Sequence, residues 1–430
     1  MVAPRTLAEW LSFVERQHSK AIELGLERVA QVYGRLRARI DCPVITVGGT
    51  NGKGSTCAIL EAVLRASGFR TGLYTSPHLV RYNERVRIGA REAEDAELCE
   101  AFGAVEAARG SVPLTYFEFG TLAALWLFAR AKPDAVVLEV GLGGRLDAVN
   151  VIDADCAVLT SIGVDHVEYL GATLESIGRE KAGIFRRGRP AVVGEPEPPV
   201  TVLQAADAAG ARLMLIGRDF GYVREGSQWR YWGPGGARAG LAHPALRGGL
   251  QLRNAAVAMC ALESLRDRLP VGMQHLREGL AQVTLPGRFQ VLPGRPQVIL
   301  DVAHNPQAAR ALAKAITETG FAPQTIAVFG MLRDKDIAGV VRELAPRVTR
   351  WHLAGLGGER GATAAELAAA LGAEGVAAPA AEHASAVRAF AAARGEAGES
   401  DKIIVFGSFL TVGEVMAHLE AERGGVRSHG

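Results

Sequence analysis

The stretch VITVGGTNGKGSTCAIL, residues 44–60, constrains the fold more than any other part of the chain. Its apolar start reads as a strand, and KGSTCAILEAVLRASG, residues 53–68, reads as a helix closed by a glycine cap. Gly48, Gly49, Gly52 and Gly54 crowd the turn that joins them. Such a turn makes a phosphate cradle. Glycines let backbone N–H groups approach, the helix dipole favours an anion, and a lysine meets the outer phosphates. The common spacing is G-x-x-x-x-G-K-[ST]. Here Val47 stands five places before Gly52, and Gly54 follows Lys53, so Ser55 and Thr56 open the helix one place late.

Around this loop, apolar strands alternate with helices, the pattern of a doubly wound, mostly parallel sheet. CPVITVGG, DAVVLEVGLGG, DCAVLTSIG and RPAVVGEP read as strands, TLESIGREKAGIFRRG (173–188) as a helix, and the first forty residues as two short helices. Residues 217–250 break the rhythm, with aromatic and polar residues alternating around turns, and are expected to form a small β insertion of hairpin type at the edge. The proline and glycine density of LPGRFQVLPGRPQ, 285–297, marks a domain boundary. Beyond it VILDVAHNP, TIAVFGML, RWHLAGL and KIIVFGSF read as four strands of a smaller, Rossmann-like α/β domain, with alanine-rich helix over 362–395. The expected domains are 1–290, with the phosphate loop, and 291–430.

Composition removes several function classes. A net charge of +2 gives no pull toward nucleic acid or a membrane surface, and no run of about 18 apolar residues is present. The charged start, MVAPRTLAEWLSFVERQHSK, is no secretory signal. Five cysteines are scattered without a CxxC pair, as in a reduced cytoplasmic protein without structural zinc.

Individual residues then suggest chemistry. Glu139 ends the apolar run AVVLEV, where a carboxylate is costly unless it is paired or liganding. Taken alone, Ser76 in TSPH is a turn serine, His166 in VDHV a satisfied loop histidine and Lys181 in REKAG a solvated helix lysine. Arg288 in LPGR can neutralise phosphate, and Asp301 in LDVAHN can accept ribose hydroxyls or cap a turn. Asn254 in LRNAA suits a helix N-cap. Tyr116, Phe117 and Phe119 in TYFEF offer either an aromatic pocket or core. Arg145 and Asp147 follow GLGG, whose glycines allow close substrate approach, and His304 and Ser408 sit at strand ends.

Taken together, GTNGKGST, HSKAIELGLERV (18–29), YTSPHLVRYNERVRI (74–88), TYFEFGTLAALW (115–126), LEVGLGGRLDAVN (138–150), TSIGVDHVEYLGATLESIGREKAGIF (160–185), LPGRFQV, LDVAHNPQA and GMLRDKD (330–336) resemble the Mur ligase superfamily, in its folylpolyglutamate synthase branch. The resemblance covers nearly the whole chain. It implies an ATP-dependent ligase that joins L-glutamate to dihydropteroate and to reduced folates through an acyl phosphate. The alternatives are folylpolyglutamate synthesis alone or another Mur-type amino acid ligase. It further implies ATP contacts from Thr50, Asn51, Gly52, Lys53, Gly54, Ser55, Asn254, Arg288 and Asp301, and Mg2+ held by Ser76, Glu139 and His166. Lys53, Lys181 and His166 would serve the chemistry, with Lys181 carbamylated. Ala21, Ile22, Glu23 and Leu24, with Thr115, Tyr116, Phe117 and Glu118 and with Arg145, Leu146, Asp147 and Ala148, would shape the dihydropteroate site. His304 and Ser408 would meet glutamate or the ATP phosphates. A monomer acting on small molecules is expected, with neither nucleic acid nor membrane as partner.

Overall fold

The computed structural model describes residues 4–18, 20 and 22–427. The chain forms two compact units: one takes the residues up to 78, 82–245 and 252–283, and the other takes 79–81, 246–251 and 284 onward.

The first unit is built on eight strands: β1 (Val44–Gly48), β2 (Thr71–Tyr74), β3 (Val86–Ile88), β4 (Arg91–Glu92), β5 (Ala135–Glu139), β6 (Cys156–Leu159), β7 (Pro190–Val193) and β8 (Arg212–Leu215). Their order is β4-β3-β2-β5-β1-β6-β7-β8, parallel except that β3, near one edge, runs antiparallel to both its neighbours β2 and β4. Every residue of β1, β5 and β6 is buried, which is why these strands read as continuous apolar runs rather than alternating ones. The helices are α1 (Leu7–Glu15), α2 (Glu27–Leu36), α3 (Lys53–Ala66), α4 (Asp95–Arg109), α5 (Tyr116–Ala131), α6 (Val167–Leu170), α7 (Leu174–Ala182), α8 (Val200–Ala209), α9 (Gln251–Ser264) and α10 (Met273–Gln282). Helix α5 begins where T-x-x-E predicts it: Glu118 N donates to Thr115 Oγ1 at 3.3 Å, and Thr115 N donates to Glu118 Oε2 at 2.7 Å. Helix α10 packs closely on α3, because a Cβ on Gly279 would lie 2.6 Å from Val63 Cα.

Two expectations change here. The 217–250 insertion is a β insertion as expected, but of three antiparallel strands rather than one hairpin: β9 (Gly221–Glu225), β10 (Gln228–Gly233) and β11 (Gly236–Ala242), turning at Gly226 and again at Gly236. Trp229 and Tyr231, two apart on β10, face inward; Tyr231 Oη donates to Glu263 Oε2 of α9 at 2.8 Å and so anchors the sheet. The helix expected over 173–188 stops at Ala182, and Arg186 turns back to pair with Asp153 and Asn150.

The second unit holds β12 (Gln290–Leu292), β13 (Gln297–Leu300), β14 (Thr325–Phe329), β15 (Arg350–Ala354), β16 (Ala380–His383) and β17 (Lys402–Phe406), in the order β12-β13-β17-β14-β15-β16 with only β12 antiparallel. Helices α11 (Pro306–Glu318), α12 (Ile337–Leu344), α13 (Ala364–Ala373), α14 (Ala386–Glu396) and α15 (Phe409–Arg427) connect them. The alanine-rich region expected to be helix over 362–395 is broken by β16, an edge strand. A parallel edge strand with Ala380 and Ala381 exposed buries too little to leave an alternating apolar signature.

Candidate active site

Strand β1 lies between β5 and β6 and delivers the phosphate loop to the C-terminal edge of the sheet, where doubly wound folds place ligands. Its glycines are required for particular reasons. Gly49 has φ +141°, and a Cβ there would sit 2.1 Å from Thr160 Oγ1; Gly52 has φ +91°, and a Cβ there would sit 2.6 Å from Asn254 Oδ1. The loop between them is braced by the segment after β6. Thr50 N donates to Ser161 O at 2.9 Å, Asn51 N donates to Ser161 Oγ at 3.0 Å, and the Thr160 hydroxyl donates to Asn51 O at 2.7 Å. Gly54 and the buried Ser55 lie in the first turn of α3.

Lys53 Nζ folds back to donate to Gly49 O at 3.1 Å and Thr50 O at 3.2 Å. Lys181 reaches the same Gly49 oxygen at 2.9 Å from the last turn of α7. It is not a solvated helix lysine: it is buried, and burial, with the Lys53 charge beside it, pulls its pKa down to about 7.

The proposed metal ligands lie at the C-terminal ends of β2, β5 and β6. Glu139 ends β5, pairs in register with Val47 of β1 and is buried; Ser76, just past β2, donates its backbone N–H to Glu139 Oε2 at 3.2 Å. His166 follows β6 and caps α6 with φ +53°. Among the described residues no three His, Cys, Asp or Glu side chains form a ready-made metal cage. One buried carboxylate beside a hydroxyl residue at a phosphate loop instead suits a hard cation that shares oxygens with phosphate and water.

The remaining residues of the first unit gather around the start of α5. Phe117 packs its ring end on Gly141, where a Cβ would stand 2.5 Å from Phe117 Cζ, and Tyr116 and Phe117 stay partly exposed. Phe119 is core, fully buried. Gly25 N donates to Leu146 O at 3.3 Å, bringing the Ile22, Glu23 and Leu24 segment to the loop that follows β5; Ala21 lies outside the described residues. Asp147 is buried, and its carboxylate accepts from Leu142 N at 2.8 Å and Val149 N at 3.1 Å, shaping that loop and capping the 3₁₀ turn that Ala148 opens. Burial pushes the Asp147 pKa up to about 7 against the pull of those backbone amides. Arg145 is exposed and pairs with Glu180 at 2.9 Å.

In the second unit Asp301 spans the loop after β13, accepting from Phe289 N and Ala303 N at 2.8 Å each, while burial raises its pKa. The Arg288 guanidinium stacks 4.9 Å from the Phe409 ring, and the His304 ring lies 6.0 Å from that same ring. Ser408 is buried, and its hydroxyl accepts from Thr411 N at 3.0 Å at the start of α15. Asn254 is not an N-cap but a buried residue in the first turn of α9, facing Gly52.

Arg85 is a residue that sequence reasoning passed over, although it stands in the quoted motif YNERVRI. It is 9% exposed, and its Nε donates to His78 Nδ1 at 2.8 Å. Its guanidinium lies 5.2 Å from the Tyr82 ring and 5.4 Å from the Tyr116 ring. Burial, with the Arg85 charge, lowers the His78 pKa to about 4, so the imidazole stays neutral. Among the described residues no carboxylate pairs with Arg85, which leaves a nearly buried cation suited to an incoming anion.

Comparison with known proteins identifies the family. Residues 47–262 match the Mur ligase middle domain, and residues 287–409 match the Mur ligase glutamate ligase domain. The chain is 47% identical over 427 residues to the dihydrofolate synthase/folylpolyglutamate synthase of Escherichia coli, covering 98% of each. Its fold is similar to that of E. coli FolC solved with DHPP and ADP, with a TM-score of 0.93, 47% identity and coverage of 98% of this chain and 99% of that one. A bifunctional folylpolyglutamate synthase/dihydrofolate synthase with Mn, AMPPNP and L-glutamate bound gives a TM-score of 0.90 at 47% identity, covering 97% and 99%.

Proposed function

This chain belongs to the folylpolyglutamate synthase family of Mur ligases, and from that premise we propose that it ligates L-glutamate to dihydropteroate and to reduced folates at the expense of ATP. The observation that carries this reading is the meeting of Lys53 and Lys181 on the Gly49 carbonyl, beside the Ser76–Glu139 pair. The pteroate carboxylate oxygen attacks the γ-phosphorus, and ADP leaves with the bridging oxygen. The glutamate amine then attacks the acyl carbon, loses a proton and expels phosphate. Catalysis of this kind is mostly positioning and charge neutralisation.

The backbone N–H groups of Thr50–Ser55 and the Lys53 charge hold the phosphates. Mg2+ held by Ser76, Glu139 and His166 would neutralise the phosphate oxygens. Asn254, Arg288 and Asp301 contact ATP; His304 and Ser408 serve glutamate or the ATP phosphates. Ile22, Glu23, Leu24, Thr115–Glu118 and Arg145–Ala148 shape the pteroate pocket, with Tyr116 and Phe117 as its aromatic faces. Arg85 supplies a cation for a substrate carboxylate. Lys181 is the site of carbamylation, because a buried amine with a lowered pKa offers the neutral nitrogen that CO2 requires, and the resulting anion suits a metal-bearing site. The enzyme acts as a cytoplasmic monomer on small molecules.

The test is ADP release in the presence of Mg2+. It should depend on dihydropteroate together with L-glutamate; hydrolysis indifferent to both would end the ligase reading. Tetrahydrofolate in place of dihydropteroate reports the second activity.

A further inference from the structure

Arg28 lies in the HSKAIELGLERV stretch but is assigned to none of the binding groups above, yet it joins two of them. From α2, its Nη2 donates to Glu118 Oε1 at 2.9 Å and to the backbone oxygen of Glu23 at 3.1 Å, while Nη1 pairs with Glu23 Oε2 at 3.1 Å. Glu118 is nearly buried, its side chain 4% exposed, and its other oxygen is already taken by Thr115 N at the start of α5. Glu23 also meets His18 Nε2 at 2.8 Å and Lys20 Nζ at 3.1 Å. One guanidinium therefore links the irregular segment around Glu23 to the helix start that presents Tyr116 and Phe117. The Gly25 N–H to Leu146 O bond then carries that segment to the loop after β5.

Removing this cation strips the nearly buried Glu118 of its counter-charge and unties it from Glu23, which keeps Lys20 and His18. A nearly buried carboxylate without its counter-charge is strongly unfavourable. Glu118 is held in its capping box, so the segment free to shift is 22–25. Planar, two-sided recognition of carboxylates is also what arginine does and lysine cannot.

We propose that Arg28 is a positioning residue for the pteroate pocket: it sets the separation of the 22–25 segment and the Tyr116–Phe117 face by binding Glu23 and Glu118 at once. It acts through these two residues and not on the ATP or glutamate sites. The inference rests on reading that pocket as the pteroate site.

The experiment is steady-state kinetics of the whole enzyme with dihydropteroate, ATP and L-glutamate varied in turn, for wild type, Arg28→Ala, Arg28→Lys and Arg28→Ala/Glu118→Gln. In Arg28→Ala the KM for dihydropteroate should rise at least about tenfold, the change that 1.4 kcal/mol of lost positioning produces, with the KM values for ATP and glutamate unchanged. Arg28→Lys, which reaches one carboxylate, should fall between, and it serves if the alanine variant does not fold. Adding Glu118→Gln removes the uncompensated buried charge while keeping the helix cap, and should recover part of the dihydropteroate KM relative to Arg28→Ala. An unchanged dihydropteroate KM, an equal rise in all three KM values, or no recovery in the double variant overturns the proposal. If wild type shows no dihydropteroate-stimulated ADP release, the functional reading fails instead, before any variant is compared.

Discussion

Lys53 and Lys181 come from elements far apart in the chain and share one carbonyl oxygen, so their charges are felt by each other before any ligand arrives. Lys53→Ala removes the charge meant for the outer phosphates; ATP turnover should drop by at least about 10²-fold, as for other lost preorganised cations. Because Lys53 is only partly buried, the melting temperature should hold, and both are read from the same purified variant. Lys181 predicts a pH effect. Its folded pKa is lowered, to about 7, so the neutral amine gains population as pH rises through that value. In CO2-stripped buffer, added bicarbonate should stimulate wild-type turnover more at about pH 8 than at about pH 6. Equal stimulation at both, or none, would remove the carbamylation reading.

At the scale of elements, the α3–α10 crossing holds the helix that carries Lys53. Gly279→Ala inserts a methyl group where Val63 Cα is only 2.6 Å away and should cost about 1–3 kcal/mol by overpacking, measured by urea unfolding. In the second unit, His352 of β15 is buried with Nδ1 at 3.0 Å from His383 Nε2, and Glu396 and Arg350 lie close by. Burial is the first cause that lowers its pKa below 6.5. A base with a depressed folded pKa contributes stability that is complete above the unfolded value and lost as pH falls through the folded one. The second unit should therefore soften below about pH 6.5, and His352→Gln should flatten that slope in a pH series of denaturant melts. The elements that could be read in the sequence were those whose signal is local. These were the strand, glycines and lysine of the phosphate loop, the T-x-x-E start of α5 and the buried parallel strands. β16 was hidden by exposed alanines, and the end of α7 by a turn whose partners, Asp153 and Asn150, lie some thirty residues away. Arg28 and Arg85 were missed for the same reason: Arg28 finds Glu118 ninety positions along the chain, and only the fold shows that Arg85 has no acid paired with it among the described residues.

For the whole molecule, the two units are built on separate sheets, so each is expected to unfold cooperatively in its own right. Multi-angle light scattering should return a single species at the chain mass of 45.4 kDa; a dimer mass would correct the monomer expectation. With Mg2+ and AMPPNP at about a hundred times its dissociation constant, binding linkage should add about 2.7 kcal/mol to the stability of the folded state that binds it. Calorimetry would show which transition moves. Within the second unit, the loop before β14 carries Phe321, 93% exposed, while His304 and Ser408 follow the opposite, C-terminal ends of β13 and β17. A dye, an affinity handle or a surface tether could be attached at that loop and remain at the far end of the sheet from these residues. Turnover could then be followed on immobilised enzyme without touching the chemistry.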